Sequence, residues 1–481
     1  MAIINYRISL CILFVLLYIS SISVIVSCVK FPKVNRITSE STYLYPFDKE
    51  GSNYEAEIII ESDGSVDLTA VNFEIPFLKY NKSWLLTFTQ DDCRHDSFSW
   101  TWAAINGKPL SNNYYYDFKH LMADDLPPDN YMLGKTLGST DGTGNELRFK
   151  YTTTLSPQEA WMSATTGVMK GFSENYYRFY MKGGLVWDNV KEILNYGNAI
   201  AFHNVKTDET NVDSISLHFD KAQTIILNKL NGRGCKILAE PDGNKKYVLA
   251  AAQYPPIKLI TAQSGAVKLI PYKADKNLGN VLVERKFYNN FYEFMLKDDI
   301  IDNLKHPKES RYAINIGLHG FAINWLTNLI WINDNYGKDG DDSVWFTSME
   351  EYFEYNYYRH NSIISKQIID NKLVLKISIP TDQYFYFPSI TINVKGLTKN
   401  KISNVSSNDQ VQGLSYADFQ DTNGEKFLMI NMDCRQHLLN LANQFVERYE
   451  KKKTASNLAD AYYFVNKLKE SSAKSALRAR L

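Results

Sequence analysis

The sequence predicts an α/β fold, a barrel of strands and helices followed by an antiparallel β domain. Between residues 84 and 361, short apolar segments of strand length alternate with amphipathic segments of helix length. This alternation is typical of parallel sheets and (β/α) barrels. After residue 361 the alternation stops, and strand-like segments follow one another without helices between them. A chain of 481 residues is long enough to form both units.

The N-terminal segment predicts export and a lipid anchor. Arg7 precedes an apolar run at residues 8–26, and the run ends in the sequence IVSC at Cys28. A basic start, an apolar stretch and small residues before a cleavage site describe a secretory signal, and the ending resembles a bacterial lipobox. We expect residues 1–28 to be a lipoprotein signal peptide and the folded part to be anchored in the cell envelope, outside the cytoplasm, at the outer membrane or the periplasmic face. An uncleaved membrane helix is the alternative.

Four further segments are predicted from the pattern. Residues 29–79 are a tether and a small β element, in which Asp63-Gly64 between two strand-like runs predicts a hairpin. Residues 80–361 form the barrel, and residues 362–434 form the β domain. Residues 435–481 are rich in Ala and Lys and predict a helical segment that packs on the body.

The composition excludes several functions. Lys+Arg and Asp+Glu both number 53, so no net charge attracts nucleic acid. The five cysteines show no paired spacing, so neither a disulfide framework nor a zinc knuckle is indicated.

Polar residues follow several of the predicted barrel strands. They are Asp91 and Asp92 after a buried strand, His203 after AIAF, Glu240 after KILA and His319 after INIGL. Catalytic groups of parallel α/β folds gather at the carboxyl ends of strands. Imidazole and carboxylate groups are ligands for a divalent metal, which acidifies water and polarises a carbonyl. A solvated strand end is the simpler interpretation of the two aspartates.

The order of these residues resembles the polysaccharide deacetylase superfamily. Its first motif is similar to residues 87–93 (TFTQDDC), and its second and third are similar to residues 201–205 (AFHNV) and 239–243 (AEPDG). Its last motif is similar to Leu318-His319, and residues 342–347 look like its closing strand. The family fold is an irregular (β/α) barrel, here with a small N-terminal β element and a C-terminal antiparallel β domain. Residues 100–109 and 140–149 look like a bacterial lipoprotein branch with flanking β domains.

The resemblance implies roles for the residues at the strand ends. Asp92 and His203 are the expected ligands of a divalent metal, zinc or similar, and Asp208 is the candidate third ligand. Asp91 is the expected catalytic base, and His319 is the expected catalytic acid.

The expected activity is metal-dependent removal of acetyl groups from an extracellular or envelope polysaccharide or oligosaccharide. The sequence departs from the family motifs at Thr207, where a histidine is expected, and at Ala239, where an arginine is expected. Two alternatives therefore remain: a carbohydrate-binding lipoprotein on the same fold, and a barrel glycosidase that pairs Asp91 or Asp92 with Glu240 or Asp242.

Overall fold

The computed structural model describes residues 53–169, 176–181, 183–203, 208–288, 293–320 and 323–481. The expected signal peptide, the tether before residue 53, and Thr207 lie outside these residues. Within the described residues no helix is long and apolar enough to cross a membrane.

The described residues contain eighteen strands, β1 to β18 in chain order. They are β1 (Tyr54–Ser62), β2 (Asn72–Glu74), β3 (Trp84–Gln90), β4 (Gly138–Thr140), β5 (Glu146–Arg148), β6 (Thr152–Leu155), β7 (Ala199–Phe202), β8 (Ile237–Ala239), β9 (Leu259–Ala262), β10 (Leu282–Glu284), β11 (Ile314–Leu318), β12 (Val344–Thr347), β13 (Ile363–Ile369), β14 (Lys372–Ile379), β15 (Ser389–Lys395), β16 (Ile402–Ser407), β17 (Gly413–Gln420) and β18 (Lys426–Asp433).

The helices cover the barrel and the C-terminus. They are Phe118–Ala123, Trp187–Asn195, Val212–Lys229, Lys245–Ala252, Glu293–Leu304, Ile323–Tyr336, Met349–Asn361, Leu438–Lys451, Ala455–Asn466 and Ser472–Arg478. A π-helical segment, Ser97–Trp102, continues into a short helix, Ala103–Ile105.

A parallel sheet forms the centre of the molecule and confirms the predicted barrel class. Its strand order is β10-β9-β8-β7-β6-β3-β11, with β12 also paired to β3. A parallel bridge between Lys286 and Ile316 joins the two ends of this order, so the ring is nearly closed. All seven residues of β3 are buried, as expected of a strand covered on both faces.

Two antiparallel sheets flank the barrel. Their strand orders are β13-β14-β1-β16 and β17-β18-β15-β2. Ile58 of β1 and Ile392 of β15 belong to one buried apolar cluster, so the sheets share a core. The N-terminal strands therefore lie in the same two sheets as the strands after residue 361.

The predicted hairpin at Asp63-Gly64 is wrong. Gly64 adopts φ +82° in a turn, as the sequence suggests, but β1 pairs with β14 and β16 rather than with the next strand. β2 instead pairs with β15 in the second sheet. A local turn pattern cannot show which distant strand completes the hydrogen bonds.

The C-terminal helices pack on the barrel. Leu441 and Phe445 of helix Leu438–Lys451 are buried in the cluster that also contains Trp102 and Phe88 of the barrel region. Asp460 of the following helix is buried and binds Arg148 at 2.5 Å. Apolar packing and a buried ion pair thus attach this segment to the barrel.

Candidate active site

Five barrel strands deliver polar side chains to one edge of the parallel sheet. They are Asp91 and Asp92 after β3, His203 after β7, Glu240 after β8, Arg285 after β10 and His319 after β11. Because the strands are parallel, their carboxyl ends lie at the same end of the barrel.

Asp91 is held by an arginine. The Asp91 and Arg285 side chains are both fully buried, and Arg285 Nη1 lies 2.5 Å from Asp91 Oδ1. Arg285 Nη2 donates a hydrogen bond to the Glu240 carbonyl oxygen at 2.8 Å, which fixes the guanidinium plane. The second oxygen, Asp91 Oδ2, is buried, makes no hydrogen bond to the described residues, and lies 4.0 Å from His203 Nε2. One oxygen is therefore anchored and the other can accept a proton.

His203 presents one ring nitrogen to the two aspartates. Its Nδ1 lies 2.8 Å from the Ala239 carbonyl oxygen, and a carbonyl only accepts, so Nδ1 carries the hydrogen. Its Nε2 then faces Asp92 Oδ1 at 3.6 Å. Metal-binding histidines are commonly oriented by such a bond from the other ring nitrogen.

When no ion is bound, the electrostatics of the site favour a positively charged His203 beside a negatively charged Asp92. Burial by itself lowers the pKa of His203, but the charge of Asp91 and the polar contact with Asp92 outweigh it, so the pKa is raised. The contact with His203 is the largest cause that lowers the pKa of Asp92. The same negative charge that stabilises the imidazolium would attract a cation in its place.

The donor atoms fit a divalent ion in type and spacing. Two ligand atoms on one tetrahedral zinc, each at about 2.1 Å, lie about 3.4 Å apart. Asp92 Oδ1 and His203 Nε2 are 3.6 Å apart, which is close to this value. Among the described residues, however, no group of three His, Cys, Asp or Glu side chains is placed to hold an ion. Asp208 is exposed and does not join the pair as a third ligand in the described structure.

The backbone separates the two aspartates. Asp92 and Cys93 adopt φ values of 65° and 49°, a left-handed conformation that is unfavourable for residues other than glycine. Neighbouring backbone holds this turn: Leu185 N donates to Cys93 O at 2.8 Å, and a Cβ on Gly184 would lie only 1.9 Å from the same oxygen. The Asp92 side chain is consequently 38% exposed, whereas Asp91 is buried.

His319 lies at the rim, on an aromatic support. Its ring stacks on Phe287 at 4.9 Å between centroids, and its charge is one of those that lower the pKa of Asp92. Phe287 fits because residue 317 is glycine, where a Cβ would approach the Phe287 ring to 2.3 Å. His319 is exposed and within electrostatic range of Asp92, so a group bound beside Asp92 could reach it.

The acids required for the glycosidase alternative are placed differently. The buried Glu240 carboxylate accepts hydrogen bonds from Lys245 Nζ at 2.6 Å and from Gln263 N at 2.9 Å. Asp242 is exposed, in a turn with φ 47°. Glu240 therefore has a structural role in fixing the loop after β8, which does not favour it as a glycosidase acid.

Residues 56–481 match the family model described as "Putative polysaccharide deacetylase". The chain belongs to this polysaccharide deacetylase family. The match covers the barrel, both flanking sheets and the C-terminal helices, and it confirms the resemblance drawn from the motifs. No curated protein sequence matches the chain.

Arg285 is the residue that the motif comparison missed. The family arginine was expected at Ala239, but Ala239 is buried and uses its carbonyl to orient His203. Arg285 reaches Asp91 from β10 instead. Arg285 directly follows the short run LVE, so it lies at a strand end like the other candidate residues. This position is the sequence signal that could have predicted it.

Proposed function

We propose that the protein is a metal-dependent hydrolase that removes acetyl groups from a polysaccharide of the cell envelope or the extracellular space. The observation that carries this proposal is the arrangement of Asp91. One carboxylate oxygen is anchored by Arg285, and the other is buried, without a hydrogen bond to the described residues, and 4.0 Å from His203 Nε2. Family membership supports a polysaccharide as the substrate class.

Each residue has a defined part in the proposed hydrolysis. Asp92 and His203 would hold a divalent ion, zinc or similar, which when bound polarises the acetyl carbonyl and acidifies water. Asp91 Oδ2 takes a proton from the water that attacks the carbonyl carbon. The bond from that carbon to the sugar nitrogen or oxygen breaks, and His319 in its protonated form supplies the proton to the leaving group. The products are acetate and the free amine or hydroxyl of the sugar.

A second candidate function is carbohydrate binding without catalysis. It is favoured by one observation: two, not three, ligand side chains come together in the described residues. Open catalytic zinc sites usually have three protein ligands. Acetate release distinguishes the two functions because a binding protein releases none.

The direct test is acetate release from acetylated xylan and from glycol chitin, which carry O-acetyl and N-acetyl groups. Wild-type protein with added Zn²⁺ should release acetate from one of the two polymers. Asp91→Asn, which keeps the shape but loses the base, should lower the rate by about a hundredfold or more. A wild-type preparation that releases no acetate from either polymer, while still binding it, would establish the binding function.

The proposed location is the outside of a membrane, through lipid on Cys28. The proposal is supported by the sequence IVSC at the end of the apolar run. Cys28→Ala should shift the protein from the membrane fraction to the soluble fraction or stop its processing. Mature protein that stays with membranes and retains residues 1–27 would instead indicate a helical anchor.

A further inference from the structure

Four tyrosines form an exposed surface beside the proposed active site. This tyrosine platform consists of Tyr114, Tyr115, Tyr177 and Tyr180, from two Tyr-rich segments of the sequence. Tyr177 is 80% exposed and Tyr180 is 54% exposed, while Tyr114 is half-buried. Single exposed aromatic side chains are common on proteins, but a contiguous group next to a site is characteristic of a binding surface.

Three of the four rings contact one another. Tyr114 packs edge to face on Tyr180 with 5.4 Å between centroids, and Tyr177 lies 5.8 Å from Tyr180. The two segments are joined by a hydrogen bond from Tyr115 N to Phe179 O at 3.1 Å. The exposed faces therefore belong to a single surface.

The base under the platform is fixed. Phe179 is fully buried, and the neighbouring Arg178 binds the buried Asp125 carboxylate at 2.7 Å and 3.0 Å. Met169 N also donates to Asp125 at 2.9 Å. A surface held in this way loses little conformational freedom when a ligand binds, which favours affinity.

The platform is continuous with the residues of the site. Tyr115 stacks on the buried His95 ring at 5.9 Å, and it lies within electrostatic range of Arg94. Arg94 Nη1 is 3.6 Å from Asp92 Oδ2. Arg94 therefore lies near both Asp92 and Tyr115, and it links the platform to the candidate site.

We propose that the tyrosine platform binds sugar rings next to the residue that is deacetylated, so that the polymer contacts the protein at more than one sugar unit. This inference rests on the proposed function for its ligand class. A tyrosine ring offers an apolar face to the C–H face of a sugar and a hydroxyl to its polar edge. Tyr177 and Tyr180 are the most exposed residues of the platform.

Binding and catalysis can be measured separately to test this proposal. Affinity electrophoresis in gels that contain acetylated xylan or glycol chitin measures binding, and acetate release measures catalysis. The variants are Tyr177→Ala with Tyr180→Ala, the corresponding pair of Phe substitutions, Tyr177→Ala alone, and Tyr462→Ala as a control. Tyr462 is 43% exposed on helix Ala455–Asn466. Thermal unfolding of each variant checks that it is folded.

The double Ala variant should bind the polymer about tenfold more weakly, because two aromatic contacts are lost. The Phe pair keeps the ring faces and should stay within about twofold of wild type, as should Tyr462→Ala. Tyr177→Ala alone should give an intermediate loss of binding.

Unchanged binding by the double Ala variant, or a wild type that binds neither polymer, would overturn the platform. Tyrosine-dependent binding without acetate release would support the platform and refute the deacetylase function. Acetate release by wild type, together with unchanged binding by the double Ala variant, would support the deacetylase function and refute the platform.

Discussion

At the scale of single residues, the pairing of Asp91 with Arg285 determines what the site can do. Both side chains are fully buried. A buried charge without a partner is very unfavourable, so each residue is stable in this place only beside the other. The arginine also fixes which carboxylate oxygen remains available to a substrate water. Arg285 is therefore a positioning residue for the proposed base.

Replacing Arg285 by Met should lower the free energy of unfolding by about 3–5 kcal/mol, because Asp91 is left buried without its cation. Adding Asp91→Asn to Arg285→Met should recover part of this stability, since the unpaired charge is removed. The measurement is denaturant unfolding of both variants. The matched control is Arg94→Met, an exposed arginine 3.6 Å from Asp92, which should cost about 1 kcal/mol or less. Equal losses for Arg285 and Arg94 would contradict the assigned role.

The strand-end rule predicted most of the residues that the structure brings together in the candidate site. Asp91, Asp92, His203 and His319 were found because each follows an apolar run that is recognisable as a buried strand. Arg285 was missed because β10 has only three residues and no readable period. The backbone turn that separates Asp91 from Asp92 was also not predictable, because it depends on contact with Gly184, far along the chain.

At the scale of elements, β1 connects the segment before the barrel with the strands after residue 361. It lies between β14 and β16, with eight residue pairs to β14 from Tyr54↔Ile379 to Glu61↔Lys372. The sequence predicted β1 as a strand but placed it in a separate N-terminal element. Pairing between residues about 300 positions apart leaves no local signal, because the alternation of β1 shows only which face is buried.

Removing the buried side chains of β1 should destabilise the C-terminal β unit. Ile58 and Ile60 are fully buried in the core shared by the two sheets, so Ile58→Ala or Ile60→Ala should each cost about 2–5 kcal/mol. Ile59, between them, points to the other face and is only partly buried, so Ile59→Ala is the matched control. Thermal unfolding ranks the three variants. A loss for Ile59→Ala as large as for its neighbours would contradict the observed register.

The pairing of β1 also bears on the boundary predicted near residue 361. The prediction that residues 362–434 form a separate β domain implies that proteolysis at 361–370 yields two stable pieces. Because β1 pairs with β14, we expect the pieces of a chain cut there to stay associated until they are denatured. Size-exclusion chromatography of the cut protein measures this association.

At the scale of the whole molecule, buried ion pairs join the barrel to the flanking sheets through helix Met349–Asn361. Lys236 of the segment before β8 binds Glu350 at 2.7 Å and Glu354 at 2.6 Å. Glu354 also accepts hydrogen bonds from the backbone N of Tyr386 and Phe387 in the β unit. Loss of one partner leaves the other charge buried and unpaired, which destabilises the protein. These ion pairs therefore couple the stability of the barrel to that of the flanking sheets.

Glu351 on the same helix should make the stability of the protein sensitive to acid. Burial by itself would raise the pKa of Glu351, but Lys150 and Lys79 outweigh it and hold this pKa well below the ordinary value of 4.5. A carboxyl with a lowered pKa in the folded state stabilises the fold above its unfolded pKa, and this contribution is lost as the pH falls toward the folded pKa.

The free energy of unfolding should therefore decrease as the pH falls below about 4.5, and Glu351→Gln should reduce this slope. Denaturant unfolding between pH 3 and pH 7 measures this dependence of the unfolding free energy on pH. Glu425→Gln removes the same charge from an exposed turn and should leave the slope close to that of wild type. A slope unchanged by Glu351→Gln would show that other carboxyl groups determine the acid sensitivity.

The dependence of acetate release on zinc tests the proposed metal site of Asp92 and His203 directly. Chelator-treated wild-type protein should release little acetate from an acetylated polymer and should recover its rate when Zn²⁺ is added. His203→Ala should bind Zn²⁺ at least about tenfold more weakly and should not recover, because one of the two proposed ligands is lost. His306→Ala, an exposed histidine away from the strand ends, should behave as wild type. Acetate release that is unaffected by chelation, or that Zn²⁺ restores equally in His203→Ala, would contradict a metal held by Asp92 and His203.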